Sequence, residues 1–210
     1  MQSSSRKDIL KRIASATQRR LAFVEKPSDY KNIYKPILPD IITCFKNELE
    51  AINGQCILCE SEFDLYLKIK ELILSKGISY VFCRDSRISI SLKSNDIPTS
   101  SEIVDFENMQ AGITACEFLI ARTGSVVVSS KSESGRQMNI FPPVHIVIAH
   151  ASQLVEYPED AYIAIQKKYR DTLPSSISTI SGPSRTADIE KTLVLGAHGP
   201  KEFIVFLYKE

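Results

Sequence analysis

The densest grouping of residues able to do chemistry is SGPSRTADIE at positions 181–190. Gly182 permits unusual backbone angles, and Pro183 suits the first turn of a helix, where its missing amide costs nothing. This pattern predicts a strand ending at Ile180 and a helix opening directly after it, with Ser181 or Ser184 as the cap. Free amides and the macrodipole of such a helix attract a carboxylate or phosphate, and Ser184, Arg185 and Thr186 add side-chain donors. Asp188 and Glu190 would orient Arg185 or act as acid/base groups. An ordinary capped helix with carboxylates in its first turn accounts for the same letters.

Other candidates are weaker. Cys56 and Cys59 have CxxC spacing but sit in an apolar strand, where positions three apart point to opposite faces; with no second such pair, five core thiols are expected and no metal site. His145 lies within the apolar run VHIVIA and reads as a hydrogen-bonded core or interface residue, with His150 just beyond it. His198, bracketed by Gly196, Gly199 and Pro200, has the setting of a loop that touches ligand and equally that of a structural turn. There is no G-x-G-x-x-G, Walker A or G-x-S-x-G pattern, so neither a nucleotide fingerprint nor a hydrolase elbow is supported.

The elements that must position these residues read as α/β. A helix is predicted over 40–52, a strand over 55–59, a helix from Ser61 to Gly77 and a strand over 79–83, which together make a βαβ unit of a largely parallel sheet. Residues 84–106 read as short β-rich pieces and a polar loop. A hairpin turning at Arg122, Thr123 and Gly124 follows, then a loop or short helix over 135–143, a buried strand over 144–149, a helix over 158–170 and a closing strand over 203–208. Residues 1–35 stand apart. They carry nine Lys or Arg against three Asp or Glu, and Leu10, Ile13, Ala14, Thr17, Leu21 and Val24 form one apolar stripe on a helix that Ser5 would cap. The expected division is therefore a basic helix and linker over 1–35 and an α/β domain over 36–210.

Composition bounds the function. In 210 residues, 26 Lys or Arg face 25 Asp or Glu, a net charge of +1 that argues against broad binding to nucleic acid. No apolar run reaches the ~18–20 residues of a membrane span, and the first residues lack a secretory core. A cytoplasmic protein is expected.

Longer stretches carry a resemblance. SGPSRTADIE with TLVLGAHGPKE, TACEFLIARTGSVVV, and GRQMNIFPPVHIVIA resemble, in this order, the signature segments of the LUD-domain family of the lactate-utilisation protein C type, specifically over residues 110–207. The resemblance implies a Rossmann-like open α/β sheet, similar to the group of sugar-phosphate isomerases, CoA-transferases and formyltetrahydrofolate cyclo-ligases. It also implies association with oxidation of L-lactate to pyruvate beside partner subunits that carry iron–sulfur clusters, with no cofactor bound by this chain. Many relatives have an acidic residue before the Thr-Gly turn; Arg122 stands there in this sequence, so no carboxylate role carries over.

Combining residues and resemblance, a pocket at strand ends is expected for a small organic acid or phosphate-bearing metabolite. Thr123, Gly124, Ser125 and Arg136 would form one wall, Gly182, Ser184, Arg185 and Thr186 the floor, and His198, Gly199 and Pro200 a side, with Asp188, Glu190 and His198 as the candidates for any catalytic role. Arg185 would be the charge partner of the ligand. A cluster-free subunit of a lactate-oxidising system is the leading expectation. The alternative is an autonomous enzyme resembling CoA-transferases or sugar-phosphate and cyclo-ligase enzymes; a CoA-transferase would need a carboxylate nucleophile, for which Glu117, Asp188 and Glu190 are the candidates.

Overall fold

Two neighbouring strands set the layering. In β7 (Val144–His150) and β12 (Glu202–Tyr208), Ile146, Ile148, Ile204 and Phe206 join one hydrophobic cluster, while Val147, Ala149, Phe203, Val205 and Leu207 join another. Strand side chains alternate between faces, so this sheet is covered on both sides, as the unbroken apolar run VHIVIA requires. The computed structural model describes residues 3–18, 34–102, 106, 108–186, 194–195 and 198–209.

Both covered strands lie inside a six-stranded parallel sheet that also contains β1 (Gln55–Cys59), β2 (Val81–Phe82), β3 (Thr99–Ser100) and β4 (Ala111–Ala115), in the order β1-β12-β7-β4-β2-β3. On one face pack α3 (Glu62–Ser75), through Leu65, Ile69 and Ile73, and α4 (Ser86–Ser94), through Ile88 and Leu92. On the other face lie α2 (Ile41–Ala51), through Phe45 and Leu49, and a second sheet. That sheet has the order β8-β5-β6-β9, formed by β5 (Phe118–Ile120), β6 (Ser125–Ser129), β8 (Leu154–Val155) and β9 (Ile177–Ile180). Its outer side is covered by α5 (Pro158–Tyr169), where Ala161 and Ile165 meet Ile120 and Val127. Cys56 and Cys59 fall in clusters on opposite faces of the parallel sheet, and burial pushes their thiols up to about 12 and about 11.

Local chemistry explains the helix ends. Asp40 accepts from the amides of Ile42 and Thr43 at 2.9 and 3.0 Å, and Ser61 accepts from Asp64 at 3.2 Å. Three expectations need correction. Residues 86–94 form α4 rather than β-rich pieces: Ile88, Ile90 and Leu92 alternate like a strand, but Asp85 caps the amide of Ile88 at 3.1 Å and only Ile88 and Leu92, four apart, are buried. The N-terminal α1 (Ser3–Gln18) begins before Ser5, which therefore lies inside the helix instead of capping it. Finally, no helix opens at Pro183. Residues Arg185–Thr186 are strand β10, paired antiparallel with β11 (Val194–Leu195).

The chain divides into two units, Met1–Pro36 and Ile37–Glu210. Leu21 and Val24 of the predicted stripe lie outside the described residues. No described helix is long and apolar enough to cross a membrane.

Candidate functional site

Several residues predicted to line a pocket do come together, at the end of the parallel sheet where β1 and β12 begin, but they meet in packed contacts. Gly124 has a positive φ of 58°, and a Cβ there would stand 2.2 Å from the backbone nitrogen of Leu49 in α2. A Cβ on Gly182, at φ 79°, would stand 2.7 Å from the carbonyl oxygen of Ile52. Ser125 and Ser181 share a hydroxyl hydrogen bond of 2.8 Å, and Ser125 also donates to the carbonyl of Thr123 at 3.2 Å. The amide of Ser184 donates to the carbonyl of Pro200 at 2.8 Å, and Ser184 packs against Gly199. Gly182 and Pro183 are buried. The helix amides and dipole expected at this turn are missing, because strand β10 takes the place of the helix. Arg185 is exposed and donates to the carbonyl of Ile52 at 2.5 Å. His198 is also exposed, and Arg136 is exposed on a 3-10 turn whose Met138 packs with Phe82 and Met109. Asp188 and Glu190 lie outside the described residues, and for Thr186 only the backbone is described.

Arg122, which precedes the Thr-Gly turn, is held by Glu156: Nε and Nη2 donate to the same carboxylate oxygen at 3.0 and 2.6 Å, and the guanidinium lies 4.9 Å from the centre of the Tyr157 ring. His145 is buried in the core. Its Nε2 lies 2.9 Å from the hydroxyl of Thr114 and its ring stands edge-on to Phe203, while burial pushes its pKa down to about 3, so the ring is neutral.

At the opposite end of the sheet, where the strands finish, there is a cavity of about 290 Å³. It is lined by Asp85 and Arg87 after β2, by Ala115 at the end of β4 with Cys116 and Glu117 beyond it, by Val128, Ser129, Lys131, Ser132 and Glu133 at and beyond the end of β6, and by Lys168 and Tyr169 of α5. From β2 the chain passes outward to edge strand β3, whereas the strand beside it, β4, leads on toward β7. Adjacent strands whose connections leave in opposite directions open a crevice at their carboxyl ends, the usual ligand position in open α/β sheets.

Glu117 anchors this cavity. Its carboxylate, on a residue only 7% exposed, accepts from Ser129 Oγ (2.5 Å) and Tyr169 OH (2.6 Å) at Oε1 and from Lys168 Nζ (2.8 Å) at Oε2. Burial pushes the carboxyl upward, but the donors Lys168, Ser129 and Tyr169 outweigh it and hold the group below its ordinary range. Burial also works on its partners. It lowers Lys168 and raises the Tyr169 phenol, while the bond to Glu117 raises both, so ammonium, phenol and carboxylate coexist at neutral pH. The other two carboxylates are committed as well: Asp85 caps α4, and Glu133 accepts from the amide of Ser86 at 2.8 Å. The side chains of Arg87 and Lys131 make no hydrogen bond or ion pair among the described residues, although the charge of Arg87 helps to hold the Glu133 carboxyl below its ordinary range and the amide of Lys131 donates to Ser129 Oγ at 3.2 Å. The acids around the cavity all accept hydrogen bonds, while the side-chain donors of Arg87 and Lys131 are left open to an incoming acceptor.

Sequence reasoning named Glu117 only as a possible nucleophile and missed the others. The readable signal was a carboxylate between apolar runs in TACEFLI; its partners lie 12, 51 and 52 positions further along. Among the described residues no group of three or more His, Cys, Asp or Glu is placed to hold a metal ion.

Comparison with known proteins places this geometry in a lineage. The chain is 30% identical to Lactate utilization protein C of Bacillus subtilis, covering 93% of this chain and 92% of that protein. It is 37% identical to the protein of the same name from Shouchella clausii, over 77% and 76% of the two lengths. An uncharacterised protein of Neisseria meningitidis is 36% identical, with the match spanning 48% of this chain and 42% of that protein. In three dimensions the chain shares its fold with a crystallised DUF162 family protein from Deinococcus radiodurans, at TM-score 0.59 and 17% identity, covering 80% of this chain and 96% of that one. The family model for the LUD domain matches residues 42–208, which hold both sheets and the cavity, and the chain belongs to the LUD domain family.

Proposed function

We propose that this chain is a cluster-free component of a lactate-utilisation system, and that it binds a small organic acid or phosphate-bearing metabolite in the cavity at the carboxyl ends of β2 and β4. One observation carries the binding site: a crevice at the sheet's switch point, walled by carboxylates that already accept hydrogen bonds and by Arg87 and Lys131, whose side-chain donors are open among the described residues. Relatives named Lactate utilization protein C supply the metabolic setting. The iron–sulfur clusters that carry electrons belong, in this reading, to partner subunits.

The double variant Arg87→Gln/Lys131→Gln tests the site. Calorimetric titration with L-lactate, pyruvate and inorganic phosphate is expected to show binding to the wild type and a loss of at least about tenfold in the variant, the weight of removing charged contacts to an anion. Unchanged affinity for every anion that binds the wild type rejects the assignment. Recovery of the tagged chain with iron–sulfur proteins supports the subunit role; turnover by the isolated chain favours the autonomous enzyme. The three donors on Glu117 weigh against that alternative, since a carboxylate so bonded is a poor nucleophile.

A second reading keeps the anion at Arg185, because its exposed guanidinium gives one bond to Ile52 and lies one residue from Ser184, which touches Gly199 beside the exposed His198. Loss of anion affinity in Arg185→Ala, with Arg87→Gln/Lys131→Gln unaffected, selects that reading.

A further inference from the structure

The two oxygens of Glu117 are not equally occupied. Oε1 accepts from Ser129 and Tyr169, which fills both of its lone-pair positions, whereas Oε2 accepts from Lys168 alone. Glu117, only 7% exposed and ionised, lines a cavity that also presents Arg87 and Lys131, and its Oε2 keeps an acceptor position open. Any ligand that displaces water from that oxygen must replace the lost hydrogen bond or leave a buried charge less well satisfied.

We infer that Glu117 Oε2 is the specificity-determining acceptor of this cavity, which takes a 2-hydroxy acid in preference to the corresponding 2-oxo acid. The inference rests on the reading that the cavity binds a small anion. With the ligand carboxylate drawn to the open donors of Arg87 and Lys131, a hydroxyl on the neighbouring carbon donates to Oε2. An oxo group in the same place turns lone pairs toward a carboxylate, which is repulsive, and an unsubstituted carbon leaves Oε2 covered and without a donor. Sites built to pair with a hydroxyl discriminate strongly against analogues that lack one, because the protein's own polar group is then stranded. The volume of about 290 Å³ accommodates a three-carbon acid together with bridging water.

Titration of the full chain with L-lactate, propionate and pyruvate tests this directly. L-lactate is expected to bind on the order of tenfold tighter than either of the others. Equal affinity for L-lactate and pyruvate, with both weakened in Arg87→Gln/Lys131→Gln, overturns the specificity role while leaving the anion site in place. Absence of binding by all three acids and by inorganic phosphate overturns the site and the inference together. In Glu117→Gln the amide presents N–H donors as well as an oxygen, and the preference for L-lactate over pyruvate is expected to vanish or invert. A folded Glu117→Gln, verified by its near-UV circular dichroism, that retains the wild-type ratio contradicts the inference. If that variant does not fold, the ranking of the three acids on the wild type decides.

Discussion

The two ends of the parallel sheet use similar residues to opposite purposes. Where β1 and β12 begin, glycine, serine and arginine close gaps: Gly124 and Gly182 admit the backbone of residues 48–52, Ser125 and Ser181 bond each other, and Arg185 ties its strand to the carbonyl of Ile52. Where β2 and β4 finish, charged side chains are arranged around open volume, and Glu117 gathers three donors from two other elements. A glycine signals close approach, but what approaches is as easily the protein's own backbone as a ligand. Parallel strands aim their carboxyl ends, and the loops that follow, at the ligand; the amino ends are free to be packed.

If this contrast is right, substitutions at the packed end damage stability and those at the open end damage binding. The largest effect is expected for Gly124→Val, where a side chain would meet the backbone of α2 at a positive φ; a loss of more than about 3 kcal/mol in urea unfolding is expected. Gly77→Ala is the internal control. It has a similar φ of 64° but nothing within 4 Å of the added carbon, so only the conformational cost of about 1–2 kcal/mol remains. Glu117→Ala strips Ser129, Lys168 and Tyr169 of their common acceptor, and a loss of about 2–3 kcal/mol is expected together with loss of anion binding.

Acid sharpens the comparison. His145 has a folded pKa of about 3 against an ordinary 6.5, so between those values the unfolded chain binds a proton that the native chain does not. Its contribution is therefore complete above pH 6.5 and is lost progressively as the pH falls toward 3. Glu117, held below its ordinary 4.5, adds a loss that begins only below that value. Unfolding midpoints measured from pH 7 to 4 are expected to fall in the wild type and to fall less steeply in His145→Gln. The smallest effect is expected for Arg185→Ala, which removes one exposed hydrogen bond: within about 1 kcal/mol of stability and no change in anion affinity.

Much of this fold could be read from local letters. Asp40 and Ser61 announced helix starts, VHIVIA announced a strand covered on both faces, and the Thr123–Gly124 turn announced the hairpin. The errors came where two local rules competed. Ile88, Ile90 and Leu92 satisfy strand alternation, yet Asp85 and the face of the sheet make them helical. Gly182 and Pro183 satisfy the rule for a helix start, yet Arg185 and Thr186 find strand partners in Val194 and Leu195. The cavity was nearly invisible because its groups come from the segments that follow β2 and β4, from β6 and the turn beyond it, and from α5, and only the switch in strand order brings them together. A distant set of ordinary residues leaves no local pattern to recognise.

The binding site proposed for this chain lies at the carboxyl end of the sheet. Backbone NMR shifts of the full chain, followed while L-lactate or inorganic phosphate is added, test it most directly. Saturable changes are expected at Arg87, Glu117, Ser129 and Lys131, with Gly124, Ser184, Arg185 and Gly199 still. Changes confined to Ser184, Arg185, His198 and Gly199, with the cavity residues unmoved, would contradict it.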